Sequence, residues 1–318
     1  MIGYSLRRLV QSIIVILGVA LIVFLLSQLI PGGVAGIALG PRRTAAAIAH
    51  FNKENGYDLP IYEQFWNYLW GVFHLQLGYS YNHNQQVQQL IAQRLPRTLT
   101  LVGVSTLVAL VIAVPLGILQ VVRRYKPIDY ALTTLSFVLY AMPAFFLAFL
   151  LVLFFSFDLH LFPVSPPGTS SAWTIFTDPR AFVLPVVTLS ALTIASFSRY
   201  MRSSMMDALA EDYVRTALAK GASNNRILYG HALRNALIPI LTLIGLSLPA
   251  IASGALITES VFNYPGMGLL TVQSALSDDV PTILGTTLVV TLFTVAGSFL
   301  ADVLYAVADP RIRLGGTE

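Results

Sequence analysis

Six stretches of this chain lack any charged side chain and are long enough to cross a bilayer, which takes about 20 apolar residues in helical form. They are Leu9–Ile30, Thr98–Val122, Tyr130–Phe157, Ala181–Ser198, Ala236–Thr258 and Val280–Ala301. Hydrocarbon offers no partner to a backbone amide, so each such stretch must satisfy its own hydrogen bonds, and the helix is the form that does so. Composition agrees. Only 11% of the 318 residues are charged and 56% are hydrophobic, against about 25% charged in an ordinary soluble domain. The expectation is an all-α integral membrane protein with six transmembrane helices. Pro115, Pro143, Pro185 and Pro249 each fall inside a window, where proline is tolerated and kinks a membrane helix. The first window follows Arg7 and Arg8, as a signal peptide would. It is longer than the usual apolar core of about 7–15 residues and no clean cleavage site follows, so it reads as a retained anchor.

The intervals between windows divide the chain. Residues 1–30 form the N-terminal anchor, 31–97 a long polar region, and 98–318 the core. Within 31–97, Thr44–Phe51 and Ile61–Leu77 read as short helices, with breaks near Asn55-Gly56 and Leu59-Pro60. Phe65–Leu77 carries Trp66, Tyr68, Trp70 and Phe73 without a charge, the composition of a helix lying in a membrane interface. The Asn82–Gln93 tract is uncharged but strongly polar and belongs outside the bilayer. Between the third and fourth windows, LFPVSPPGTSS reads as an irregular loop. Basic residues then set the orientation. Arg123, Arg124 and Lys126, the Arg199–Arg234 interval and the Arg311–Arg313 tail are basic, whereas Val261–Ser277 has no Lys or Arg. Both termini and the 207–239 interval are therefore expected in the cytoplasm, with 31–97 outside.

That 207–239 interval, between the fourth and fifth spans, is the longest charged island. Glu211 and Asp212 open a short helix and Lys220 ends it, each placed to suit the helix dipole. Glu211 and Arg215 are spaced to pair along one face. Gly221 falls where a helix ends in a left-handed residue. A second helix starts near Ser223 or Asn224 and is expected to run to about Asn235, before Pro239. Periodicity alone leaves two readings open, a solvated linker and a docking knob.

Several chemistries are excluded. A phosphate-binding loop needs a Gly-Lys-Ser/Thr run, and Lys53, Lys126 and Lys220 lie in no such setting. Ion-coupled carriers place ionisable groups within their spans, and here only Glu259 and Asp302 touch the window edges. Glu259 reads as an interfacial cap. No histidine lies in a window to act as a general base, and the chain has no cysteine. In the fifth window Gly245, Pro249 and Ser253 recur at helical spacing. Such a stripe suits either close helix packing or the lining of a weakly binding path.

The motifs bring a resemblance. Asp212-Tyr213, Thr216-Ala217, Ala219-Lys220-Gly221, and then His231, Leu233-Arg234-Asn235-Ala236 and Pro239, resemble the cytoplasmic loop of permeases from ABC importers of the dipeptide/oligopeptide/nickel branch. The likeness covers nearly the whole chain. It takes in Tyr57-Asp58-Leu59-Pro60, Arg94-Leu95-Pro96-Arg97-Thr98, Met142-Pro143-Ala144-Phe145, the Glu259–Gly268 run and Asp309-Pro310-Arg311. The chain departs from the family at Gly33-Val34 and at His74–Gly78. The long region after the first span is similar to that of the B-type subunit. The resemblance implies that Glu211, Asp212, Tyr213, Thr216, Ala217, Ala219, Lys220, Gly221 and Ser223 couple the chain to an ATPase. Met142, Pro143, Gly245, Pro249 and Ser253 are then candidates to line the path, and Asn263, Tyr264, Pro265 and Gly266 to meet an external binding protein. The implied partners are a homologous C-type permease, two ABC ATPases and a solute-binding protein, in a bacterial inner membrane. No cofactor belongs to this chain, since ATP and Mg are held by the ATPases. Peptides are the implied cargo, and nickel chelates, glutathione or another small solute the alternatives. An ion-coupled secondary transporter is the reading from a different class.

Overall fold

The computed structural model describes residues 2–29, 33–40, 44–167, 171–252 and 256–308. Helix dominates throughout. Among the described residues five helices are long and apolar enough to cross a membrane, and a sharply bent pair brings the number to six when it is counted as one span. Helix α1 (Ile2–Gln28) covers most of the first apolar window. It packs on the margin of the bundle against the last helix, so most of its large apolar side chains from Val10 to Leu29 are exposed. Ala20 and Phe24 are buried, and the Phe24 ring lies 5.3 Å from Phe65 and 5.7 Å from Tyr68.

After α1 come α2 (Gly33–Leu39), α3 (Ala45–Asn55) and α4 (Ile61–Phe73). Thr44 caps α3 by accepting from the Ala47 amide at 3.2 Å, and Gly56 ends it in the left-handed region. The two expected breaks therefore stand. On α4, Tyr62, Trp66, Trp70 and Phe73 are exposed together, on one face by their spacing, as an interfacial helix requires.

Three expectations are corrected. The Asn82–Gln93 tract is divided between a hairpin and a helix. A two-residue antiparallel pair, β1 (Tyr79–Ser80) and β2 (Gln85–Gln86), turns directly into α5 (Val87–Val122). The first turns of α5 bury Val87 and Ile91 against Met267, with Leu77 and Val289 around them. The polar glutamines lie between these anchors. With 36 residues, α5 is longer than the hydrocarbon is thick. The boundary drawn at Arg97/Thr98 thus falls inside one continuous helix.

The third span is also two pieces. Helix α6 (Pro127–Ala141) and α7 (Ala144–Leu151), which continues as a wider helical turn to Asp158, meet at 106°. Met142 is extended and Pro143 caps α7. Proline disfavours the helical conformation in the residue before it, and that residue is Met142. After the irregular loop come a short helix α8 (Thr174–Thr177) and α9 (Val183–Ala210). Pro185 lies in the first turn of α9, where proline costs nothing.

The last correction concerns Pro239, which does not end a helix. Helical backbone restarts at Asn224, passes through a π-type turn at Arg226–Ala232, and continues as α11 (Leu233–Ala252). After α10 (Asp212–Ala219), this makes the loop and the fifth span one rod from Asn224 onward. The remaining helices are α12 (Leu256–Val261), α13 (Met267–Leu276) and α14 (Val280–Ala308).

Helices α5, α9, α11 and α14 make the bundle centre. At the end nearest the charged loop, Ala113 and Ile118 of α5 pack with Phe197, Met201, Met205 and Ala208 of α9 and with Ala232, Ala236 and Ile240. At the opposite end, Leu101, Phe182 and Tyr264 form a second cluster, with the Phe182 and Tyr264 rings edge to face at 5.9 Å.

Candidate functional site

Two segments carry the sequence motifs, and they sit at opposite ends of the bundle. The first is the charged loop. Glu211 is extended and ends α9, and α10 begins at Asp212. Among the candidate residues Glu211, Asp212, Tyr213, Thr216, Ala219, Lys220, Gly221 and Ser223 are exposed, and Ala217 is half-buried. Val214 and Ile227 are buried and pin the loop to the body. The charged pair is Asp212 with Arg215 at 3.4 Å, not Glu211 with Arg215. Glu211 lies outside the helical turn, so its side chain is out of register with Arg215. Both partners are highly exposed, so the pair contributes little.

Gly221 has φ +80° and no atom within 4 Å of where a Cβ would sit. The Ala222 amide donates to the Ala217 carbonyl at 3.1 Å and the Gly221 amide to Leu218 at 2.9 Å. These are the paired bonds that end a helix on a left-handed residue. The Ile227 amide then donates to Ser223 at 3.0 Å, which puts Ser223 at the start of the next helix. The result is a short exposed helix, a sharp turn and the foot of a span, with the free surface on one side.

The second segment is Glu259–Gly268, and its arrangement is the reverse. Glu259 is fully buried. Its Oε2 accepts from the Gly268 and Leu269 amides at 2.7 and 3.1 Å, and Oε1 from the Thr98 hydroxyl at 2.6 Å. It is a helix cap, since those amides open α13, and it also ties α12 and α13 to α5. Thr98 in turn accepts from the Met267 amide at 2.8 Å, and the Tyr264 hydroxyl donates to the Arg97 carbonyl at 2.8 Å. Burial pushes the Glu259 carboxyl above its ordinary value, against the pull of the Thr98 hydroxyl, the two amides and Arg94. Around it space is short. A Cβ on Gly266 would fall on the Glu259 carboxylate, and one on Gly268 would lie 2.6 Å from Leu256 Cα.

This corrects part of the docking expectation. Tyr264, Pro265 and Gly266 are buried and have an internal task, while Asn263 is exposed. The signal was in the sequence, as a lone acid followed by two closely spaced glycines. Its target Thr98 was out of reach of any local pattern.

Met142 and Pro143 sit at the 106° bend, with Pro143 exposed and Met142 half-buried. Gly245 is buried in α11, Pro249 is in the same helix with its side chain undescribed, and Ser253 lies outside the described residues. Sequence reasoning missed a polar cluster between α6 and α9. Asp129, just before the third window, is buried and takes a two-pronged contact from Arg202, with Nε–Oδ1 and Nη2–Oδ2 both 3.0 Å. Among the described residues no cluster of His, Asp and Glu could hold a metal.

The fold and these segments define a polytopic helical membrane protein that presents a helix–glycine–helix loop at one end and a carboxylate-locked cap at the other. Residues 113–314 match the family described as the binding-protein-dependent transport system inner membrane component, and residues 1–102 match its N-terminal counterpart. The chain is similar to the oligopeptide transport system permease protein AppB of Bacillus subtilis, 37% identical over 98% of this chain and 100% of the relative. It is 37% identical to a probable peptide ABC transporter permease of Sinorhizobium fredii, over 98% of this chain and 99% of that protein. A putative peptide transport system permease of Brucella abortus is 35% identical, over 97% and 98%. The chain belongs to this family. It is a multi-pass permease subunit of an ABC importer.

Proposed function

We propose that this subunit forms half of the path by which an ATP-driven importer takes up peptides, as the relatives' names suggest for their own cargo. The single observation that supports the mechanism best is the exposed turn at Gly221. Its geometry gives an ATPase a stiff helical handle joined on both sides to spanning helices, α9 and α11. Hydrolysis belongs to two partner ATPases, which hold ATP and Mg, because this chain lacks a phosphate loop. A homologous C-type permease supplies the other half. An external solute-binding protein delivers cargo, with exposed Asn263 among its contacts. ATP-driven closure of the ATPases pushes on residues 211–223, and the bundle passes from inward-facing to outward-facing. Both termini and the 207–239 loop lie in the cytoplasm and 31–97 outside, in the bacterial inner membrane.

Topology is tested with single cysteines, for which the native chain offers no background. A cysteine at exposed Asn82 should react with an impermeant thiol reagent in sealed cells and one at Ser223 should not. Labelling of Ser223→Cys from outside overturns the orientation. Cargo is tested on the cognate binding protein with tri-alanine, a nickel–histidine chelate and glutathione. Tight binding of the peptide alone supports the reading, and tight binding of either other solute replaces peptide with that solute.

A further inference from the structure

Helices in a bilayer are held together mainly by close packing, often through small residues. Helix α6 is held differently. Its buried residues are Asp129 and Ser136, both polar, and both contact α9. Asp129 takes the two-pronged contact from Arg202, and Ser136 Oγ lies 3.4 Å from Ser198 Oγ. Beyond Ser136, Arg199 stacks over Phe137 and Tyr140, at 4.7 and 5.0 Å from the ring centroids. Thr133 extends the network. It donates to Asp129 at 3.4 Å and accepts from Gln120 of α5 at 3.2 Å. Asp129 also accepts from the Tyr125 amide at 3.1 Å, which fixes the turn before α6.

A buried charge is costly unless it is paired and hydrogen-bonded, as Asp129 is. Here the pair lies on a mechanical route. From Arg202, α9 continues without a break to Ala210 and then into the exposed loop. From Asp129, α6 runs to the 106° bend at Met142 and Pro143. A fork-on-carboxylate contact holds one register and resists sliding, which an apolar face does not.

We propose that the Asp129–Arg202 pair is the linkage that carries displacement of the coupling loop from α9 to α6, and so to the bend. The proposal rests on the reading of residues 211–223 as the ATPase contact. Both residues are positioning residues. A merely structural pair behaves differently under exchange, because replacing a buried ion pair by apolar groups of similar size is often neutral or stabilising.

The test uses the assembled importer in proteoliposomes. Spin labels on Val138→Cys and Leu241→Cys report the distance between α6 and α11, and ATP hydrolysis is followed in parallel. In the native background, ATP with vanadate should shift that distance by at least about 2 Å, the scale of helix shifts in switching proteins. Asp129→Leu with Arg202→Met should keep hydrolysis within about twofold and reduce the shift to less than half. Exchange of the charges, Asp129→Arg with Arg202→Asp, should restore at least half of it. A native shift in the apolar double variant overturns the proposal, as does loss of hydrolysis with the ATPase still bound. Should the apolar variant fail to accumulate, Arg202→Lys carries the test. It keeps the charge without the fork, and should weaken the shift, so an undiminished shift overturns the proposal equally. A separate Ser223→Cys crosslink to the ATPase checks the underlying reading. Its absence from the native complex removes the coupling loop, whereas its presence with an unchanged shift removes only this linkage.

Discussion

The two glycine-bearing motifs of this chain use glycine for different reasons. At Gly221 the backbone is left-handed, at φ +80°, in open space. Around Gly266 and Gly268 the backbone needs no such freedom, but a neighbouring carboxylate and the Leu256 backbone leave no room for a methyl group. One loop is exposed and pinned at Val214 and Ile227, and the other is buried around Glu259. An exposed handle can lose conformation without loss of the bundle, whereas a buried lock cannot. Substitutions at the two sites should therefore fail in different ways.

The largest effect is expected at the lock. Glu259→Ala leaves the Thr98 hydroxyl and two amides without their acceptor, each loss costing about 1–3 kcal/mol. Thermal denaturation of the detergent-solubilised protein should show a clear drop in midpoint or failure to accumulate. Glu259→Gln, which keeps one acceptor for the amides, should lose less than half as much. Equal losses for both variants would mean that the carboxylate is no cap.

Next in size is Gly268→Ala, which overpacks the same site against Leu256 and should cost about 1–3 kcal/mol, read in the same melt. An unchanged melt would show that the segment relaxes freely and that the contrast with Gly221 is not one of space.

At the handle, Gly221→Val meets no neighbour but carries a Cβ in the left-handed region, at about 1–2 kcal/mol. The bundle should melt as before while uptake falls sharply and ATPase crosslinking at Ser223→Cys weakens. Gly221→Ala should lie between. Native uptake by the valine variant makes the loop an ordinary linker.

The smallest effect belongs to Asp212→Ala. Its exposed pairing with Arg215 should be worth at most about 0.5 kcal/mol, so the melt should not change. Any fall in uptake then reports contact with the ATPase rather than stability.

The sequence by itself determined the class of fold, five of the spans and both motifs. These depend on local properties: the absence of charge over a membrane's thickness, the dipole-suited ends of α10, and the glycine after it. Tertiary structure decided what local pattern could not express. Pro239 was read as a stop, yet the helix runs through it, because packed neighbours in a bundle can compensate for one missing amide. Pro143 was read as a kink and is a 106° turn, since its size depends on where α7 finds its partners. Glu259 was legible as a cap but not as a tie to Thr98, and Asp129 gave no signal until Arg202 was placed beside it. Such pairings join residues far apart in the chain, and only the packing of the helices brings them within hydrogen-bonding distance.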